Sequence, residues 1–336
     1  MYEEDVSTNK SLIAVIIVNY GTAKLVIAGI AALEKERRQL PRLHVVVVDN
    51  CSPDNSQKQI QSAIEASEWQ PWVRLVTAEK NGGYAYGNNL GFSVARDWLN
   101  HIDYFWMLNP DTRVLPDATA HLVNFLESHP NTIAGSCLQD ADGTKQVSTF
   151  NFPSVISELC SGFSLGFLDR WFKRFIVVRD IPTKLERSDW MAGASLMFSG
   201  DVQKQLGGLD EKYFLYYEEV DYLMKAQKSG VHCYYVPESR VIHEVGAATG
   251  ISDTRKVQPR RPRYWFESRR RFLVKNYSYF HLVAADLLWM MGYSTWVMRK
   301  FVVNREELHR QPPRLLRDFF SHSFLNPKVW FESYNL

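Results

Sequence analysis

Two stretches set the pattern of the chain: LIAVIIVNY (Leu12 to Tyr20) and LHVVVVDN (Leu43 to Asn50) are almost unbroken apolar, β-branched runs. Such runs belong to strands covered on both faces in a parallel sheet. The spacing between them and after them becomes helical, roughly over Ala23 to Arg38 and Ser56 to Ser67. Val73 to Thr77 predicts a short third strand. A glycine-rich turn, a helix near Tyr86 to Trp98 and a fourth strand at Tyr104 to Leu108 follow. The alternation implies a parallel, right-handed sheet layered with helices. Ligands of such sheets sit at the carboxyl ends of the strands, and three of these ends are polar: Asn19, Asp49, and Asn109 with Asp111.

The pattern loosens from about Gln139 to Arg187 into mixed aromatic and basic residues, which reads as an insertion or an acceptor-side loop. A strand returns at Ala194 to Phe198, then a helix near Asp201 to Leu206, a helix starting near Glu218 and a strand at His232 to Val236. Beyond Gly250 come Arg255, Lys256, Arg260, Arg261, Arg263, Arg269, Arg270, Arg271 and Lys275, and then an apolar, aromatic helix over Phe280 to Val302. His281 and Asp286 interrupt that helix, which disfavours a membrane span. Two readings stay open. Either the cluster and helix rest on an anionic membrane face, or they pack as a helical pair on the catalytic domain or a second subunit.

Composition narrows the class. The 336 residues, 46% hydrophobic and 13% aromatic, suffice for one large α/β domain with an appendage. A net charge of +2 argues against strong nucleic-acid binding. Cys51, Cys137, Cys160 and Cys233 form neither a disulfide framework nor a zinc pattern. The polar start MYEEDVSTNK, with only Leu12 to Val18 apolar after it, is not a signal peptide. A cytoplasmic protein is the expectation.

Candidate chemistry gathers at the strand ends. Asp49 could accept from a ribose hydroxyl or a base N–H, since Asn55 and Ser56 are better placed to cap the next helix. NGGYAYGNNLGF (Asn81 to Phe92) puts glycines where backbone turns tightly or approaches a ligand. It is neither G-x-G-x-x-G nor a Walker A loop, so dinucleotide oxidoreductases and P-loop NTPases lose support. Asn109-Pro110-Asp111 is a turn, or it is a carboxylate that holds Mg²⁺ or Mn²⁺ on a diphosphate. His243 either packs structurally or completes the metal shell with Asp111. Glu218, Glu219 and Asp221 suit a helix dipole, or supply a general base whose pKa rises through like-charge crowding.

These pieces, in this order, resemble glycosyltransferase family 2, most closely its bacterial rhamnosyltransferase-like branch. The resemblance rests on VIIVNYG, VVVVDNCSPD, NGGYAYGNNLGF, MLNPDT, WMAGASLMF, GGLDEKYFLYYEEVDY and VIHEVG, spanning about Ile13 to Thr249. It implies a GT-A fold: a Rossmann-like, mostly parallel sheet covered by helices, with a C-terminal helical appendage. Residues 1–250 would be the catalytic domain, with a nucleotide-sugar half at about 12–112 and an acceptor and base half at about 113–250. Residues 251–336 would form the basic, aromatic helical region. The activity implied is inverting, metal-dependent transfer from a nucleotide-sugar, dTDP-rhamnose or a UDP-sugar, to a glycan or polyprenyl-linked acceptor, at the inner face of the plasma membrane. By the same resemblance Asp49 binds the nucleoside, and Asn19, Asn81, Gly83 and Asn109 line its pocket. Asp111 and His243 hold Mn²⁺ or Mg²⁺, and Trp190 to Ala194, with Gly193, line the donor-sugar and acceptor side. Glu219 stands where the family usually has its catalytic Asp, with Asp221 as the alternative. Lys225 replaces a phosphate-facing Arg and brings a point charge instead of a fork. A sugar-nucleotide pyrophosphorylase is excluded, because its basic glycine-rich loop after strand one is here NYGTAK. The competing reading is a domain that binds nucleotide-sugar or glycan without turnover.

Overall fold

A computed structural model describes residues 10–244, 259–303 and 311–324. The N-terminal segment, the expected domain boundary at 250 and the basic residues Arg255 and Lys256 lie outside them. The first elements alternate: β1 (Ile13–Asn19), α1 (Ala23–Arg37), β2 (Leu43–Asp49), α2 (Ser56–Ala66), β3 (Val73–Thr77), α3 (Gly83–Trp98) and β4 (Tyr104–Leu108). Then come β5 (Thr112–Val114), α4 (Ala118–Ser128), β6 (Thr132–Gln139), β7 (Thr149–Phe150), α5 (Val155–Phe163) and α6 (Gly166–Trp171). The second half holds β8 (Glu186–Ser188), β9 (Trp190–Met191), β10 (Ser195–Ser199), α7 (Gly200–Leu206), α8 (Glu218–Lys228) and β11 (His232–His243). The C-terminal helices are α9 (Arg263–Asn276), α10 (Tyr279–Val303) and α11 (Leu315–His322).

The main sheet runs β3-β2-β1-β4-β10-β6-β11-β5, with β8 also on β11. The β1–β4 strands are mutually parallel, as the sequence predicts. β10 then enters antiparallel between β4 and β6, so the sheet is mixed and mostly parallel, as in a GT-A fold. β1 shows why its residues make a strand: all seven are buried. Ile13, Val15 and Ile17 join a core with α1, α2 and α4 on one face, while Ala14 and Ile16 join a core with α3, α7 and α8 on the other. Gly91 lets α3 close on the sheet, because a Cβ there would lie 2.3 Å from an Ile16 methyl carbon.

The C-terminal arginines correct the membrane-facing expectation. Arg269 is buried between Glu158 (3.1 Å) and Asp286 (2.7 Å), and Arg271 and Lys275 converge on Asp210 at 2.6 and 2.7 Å. Arg260 bonds Asp318 at 2.7 Å. Arg269 and Arg271 are thus neutralised inside the protein, whereas Arg260 is paired at the surface and Arg261 and Arg263 are exposed. Asp286, read as an interruption of an apolar helix, is a buried counter-ion. α10 therefore packs on its own chain: it lies along α5, and Trp289 joins Phe266, Leu315 and Phe319 in a core shared with α9 and α11.

Candidate active site

Register brings the polar strand ends together. Asn19 pairs with Asp49 across β1 and β2, and β4 delivers Asn109 beside them. A pocket of about 450 Å³ opens there, lined by Tyr20, Asn50, Asn81, Tyr84, Asn109 and Tyr264 among others. Asn19 does not line it. It is fully buried behind the pocket, donating to Asp49 Oδ1 (2.7 Å) and accepting from the Thr22 backbone N–H (3.1 Å). Asp49, also buried, accepts from the Ser52 hydroxyl at 2.6 Å. Asn50 reaches the pocket surface, donating to Asn81 Oδ1 and the Gly83 carbonyl, both at 3.0 Å.

Gly83 is required by a close approach. Its φ is +88°, and a Cβ would fall 1.9 Å from the Phe214 carbonyl oxygen. That contact clamps the segment before α8 onto the strand ends, where the Tyr84 N–H donates to the same oxygen at 3.0 Å. Tyr216 and Tyr217 then take left-handed conformations, φ +69° and +68°, each costing about 1–3 kcal/mol that the surrounding packing must offset. This strained turn aims the first residues of α8.

The three acids there differ sharply. Asp221 is saturated by Lys275 Nζ (2.6 Å), Asn276 Nδ2 (2.7 Å) and the Tyr213 hydroxyl (3.2 Å), which makes it structural and removes it as a base. Glu218 and Glu219 each keep an Oε2 without a partner. Burial pushes Glu218 well above its ordinary value and Glu219 up to about 7. Glu219 faces a second cavity of about 320 Å³ and abuts Gly193, where a Cβ would lie 3.4 Å from its own. Tyr84 sits among these groups. Its hydroxyl donates to the Gly193 carbonyl at 3.0 Å, and burial, with the charges of Glu218, Glu219 and Asp111, pushes its pKa far up.

Asp111 and His243 meet because β5 pairs with β11, His243 opposite Thr112. Asp111 is 5% exposed; its Oδ1 lies 3.5 Å from His243 Nε2 and accepts no hydrogen bond. Gln146 sets the imidazole. Its amide nitrogen donates to the His243 carbonyl (2.8 Å) and to Asp140 Oδ1 (2.7 Å), so its oxygen faces His243 Nδ1 at 3.2 Å. Nδ1 then donates to that oxygen, so in the neutral imidazole it is Nε2 that presents its lone pair towards Asp111. An orphaned buried carboxylate oxygen beside an imidazole lone pair fits a divalent cation. Among the described residues no cluster of three or more His, Cys, Asp or Glu could hold a metal ion, so these residues would supply two ligands, Asp111 and His243.

Residues 14–169 match the family model described as Glycosyl transferase family 2. The chain is 27% identical over 219 residues to an N-acetylglucosaminyl-diphospho-decaprenol L-rhamnosyltransferase of Mycobacterium tuberculosis, covering 61% of this chain and 68% of that one. It is 26% identical over 165 residues to the rhamnosyltransferase WbbL of Escherichia coli, covering 48% and 60%. The match to glycosyl transferase family 2 thus covers the first half of the fold, a little under half of the chain. Solved structures with a similar fold include GalNAc-T7 (TM-score 0.59, 16% identity, 97% of this chain and 60% of that one) and S. aureus TarS (0.51, 14%, 88% and 44%).

Within this glycosyltransferase, Trp190 stacks on Phe150 (4.2 Å between centroids) and, like Glu219, lines the second cavity. Lys225 stands apart from both cavities: it is exposed, and its ammonium bonds the Leu206 carbonyl at the end of α7. The sequence reading missed Asn50, Tyr84, Gln146 and Tyr264. Asn50 had a signal as the neighbour of Asp49 at a strand end. Gln146 and Tyr264 lie in stretches without periodicity, and only the fold brings them to the site.

Proposed function

We propose that this glycosyltransferase moves rhamnose from dTDP-rhamnose to a hydroxyl of a lipid-linked glycan, with inversion. The donor nucleotide occupies the pocket at the ends of β1, β2 and β4, over Asn50 and Asn81. Asp111 Oδ1 and His243 Nε2 would hold Mn²⁺ or Mg²⁺, which would supply positive charge to neutralise the departing diphosphate. Glu219 takes the proton of the attacking hydroxyl as the new glycosidic bond forms and the bond to the diphosphate breaks. Support for rhamnose comes from the names of the mycobacterial and E. coli relatives, and support for a lipid-linked acceptor from the mycobacterial one alone; UDP-hexoses are the second donor class. Such an acceptor would set the enzyme against the inner face of the plasma membrane. Among the described residues no helix is long and apolar enough to cross a membrane.

The observation that carries the reading is the pair of unsatisfied buried oxygens, Asp111 Oδ1 and Glu219 Oε2, grouped around Tyr84. A binding-only domain has no use for an unbonded carboxylate raised to about 7. The test is nucleoside diphosphate release from dTDP-rhamnose and from UDP-sugars, with Mn²⁺ and with EDTA. Release should need the cation and fall at least about a hundredfold in Asp111→Ala, with the circular dichroism spectrum unchanged. Cation-independent release, or a fully active Asp111→Ala, would overturn the metal assignment.

A further inference from the structure

The cavity that holds Glu219 is closed by the C-terminal helices. Trp190 and Tyr217 form its catalytic-domain side, while Arg261, Trp265 and Phe319 form the other. Arg261 differs from its neighbours. Arg260, Arg269 and Arg271 all have carboxylate partners, whereas no carboxylate of the described residues lies within ion-pair distance of Arg261. Its guanidinium is held instead over the Trp265 ring, 4.1 Å from the centroid. Glu158, which also lines the cavity, is committed to Arg269. Arg261 stays charged at physiological pH and is exposed, so its guanidinium is open to a ligand entering the cavity. Stacking on an aromatic ring leaves the edge of the fork free for two parallel bonds to an anion.

From this we infer that the cavity is the acceptor site, that its substrate carries a phosphate or diphosphate, and that Arg261 binds that group while Glu219 meets the hydroxyl. The inference rests on the glycosyltransferase reading above and adds the class of acceptor and the residue that recognises it. Indole and phenyl surfaces around the guanidinium suit an apolar group attached to the phosphate, so the phosphate can belong to a lipid-linked sugar or to a soluble sugar phosphate. The C-terminal helices are then part of the substrate site as well as a structural brace.

The test is calorimetric binding of decyl diphosphate, of inorganic pyrophosphate and of an uncharged decyl glycoside to the full chain in EDTA, which silences the cation-dependent donor site. Arg261→Ala should weaken both diphosphates roughly tenfold or more and leave the glycoside unchanged, and Arg261→Lys should recover part of the loss. Tighter binding of decyl diphosphate than of pyrophosphate supports a lipid-borne phosphate; equal binding supports a soluble one. Donor hydrolysis without acceptor, measured with Mn²⁺, separates this idea from the general reading. If wild type hydrolyses donor but binds neither diphosphate, or if Arg261→Ala binds both as wild type does, the phosphate assignment fails while the glycosyltransferase reading stands.

Discussion

Glu219 and Asp221 are two residues apart and chemically opposite. Asp221 spends its oxygens on Tyr213, Lys275 and Asn276, whereas Glu219 keeps one free in a partly buried place. Asp221→Asn should therefore lower the melting temperature by several degrees, because it leaves the Lys275 ammonium without that counter-charge. Its turnover below the transition should stay within a few-fold of wild type; a dead but stable Asp221→Asn would make this residue the base. Glu219 raised to about 7 gives a pH signature. The base works only when ionised, so the rate should climb through about pH 7 and be lost below it. Stability runs the other way. A folded-state pKa above the ordinary carboxylate range contributes stability that is full below that range and lost as pH rises through about 7. Glu219→Gln, always neutral, should melt with wild type in acid and above it at pH 8. A pH-independent difference in melting temperature would contradict the buried-carboxylate picture.

Elements were legible where burial on both faces writes a continuous apolar run. β1, β2 and β4 were read within a residue or two, since their sequences IAVIIVN, LHVVVVD and YFWML need only one explanation. β5 is three residues long, and its meaning is the pairing that sets His243 beside Asp111, which no local pattern encodes. β11 was read only as far as Val236; the strand shifts register before Arg240 and continues to His243, so its period breaks in the middle. α9 looked like a basic surface patch because nine cations fall between Arg255 and Lys275. Their acidic partners Glu158, Asp210 and Asp286 are distant in sequence, so a charge run could not be told from a buried ion-pair network. The site divides the same way. Asp49, Asp111 and Glu219 follow from strand ends and a helix start, but the orienting Gln146 and the cavity residues Tyr264 and Arg261 come from long-range packing.

At the scale of the whole molecule, the strand-end pocket and the Glu219 cavity share one wall, residues 261–265, with Tyr264 on the donor side and Arg261 and Trp265 on the other. Tyr20 and Phe214 are exposed at the donor pocket itself, and a further set of exposed apolar side chains lies on α6 and α10. Trp171 (79% exposed) and Phe167 on α6, and Met298 and Val302 on α10, are exposed, and Arg299 of α10 bonds the Phe163 carbonyl at the end of α5, just before α6. Exposed Arg170 and Arg174 flank them. If the enzyme works at a membrane face, this patch and not Arg269–Arg271 should carry the contact. Co-sedimentation with anionic vesicles should drop several-fold in the double variant Trp171→Ser, Met298→Ser, with the fold intact; undiminished binding would contradict that placement. The most direct test of glycosyl transfer at this site is one titration and one rate on Glu219→Gln. Donor affinity in Mn²⁺ should match wild type, while transfer should fall by about two to four orders of magnitude. Transfer near the wild-type rate with donor bound would contradict Glu219 as the base and, with it, the catalytic geometry proposed here.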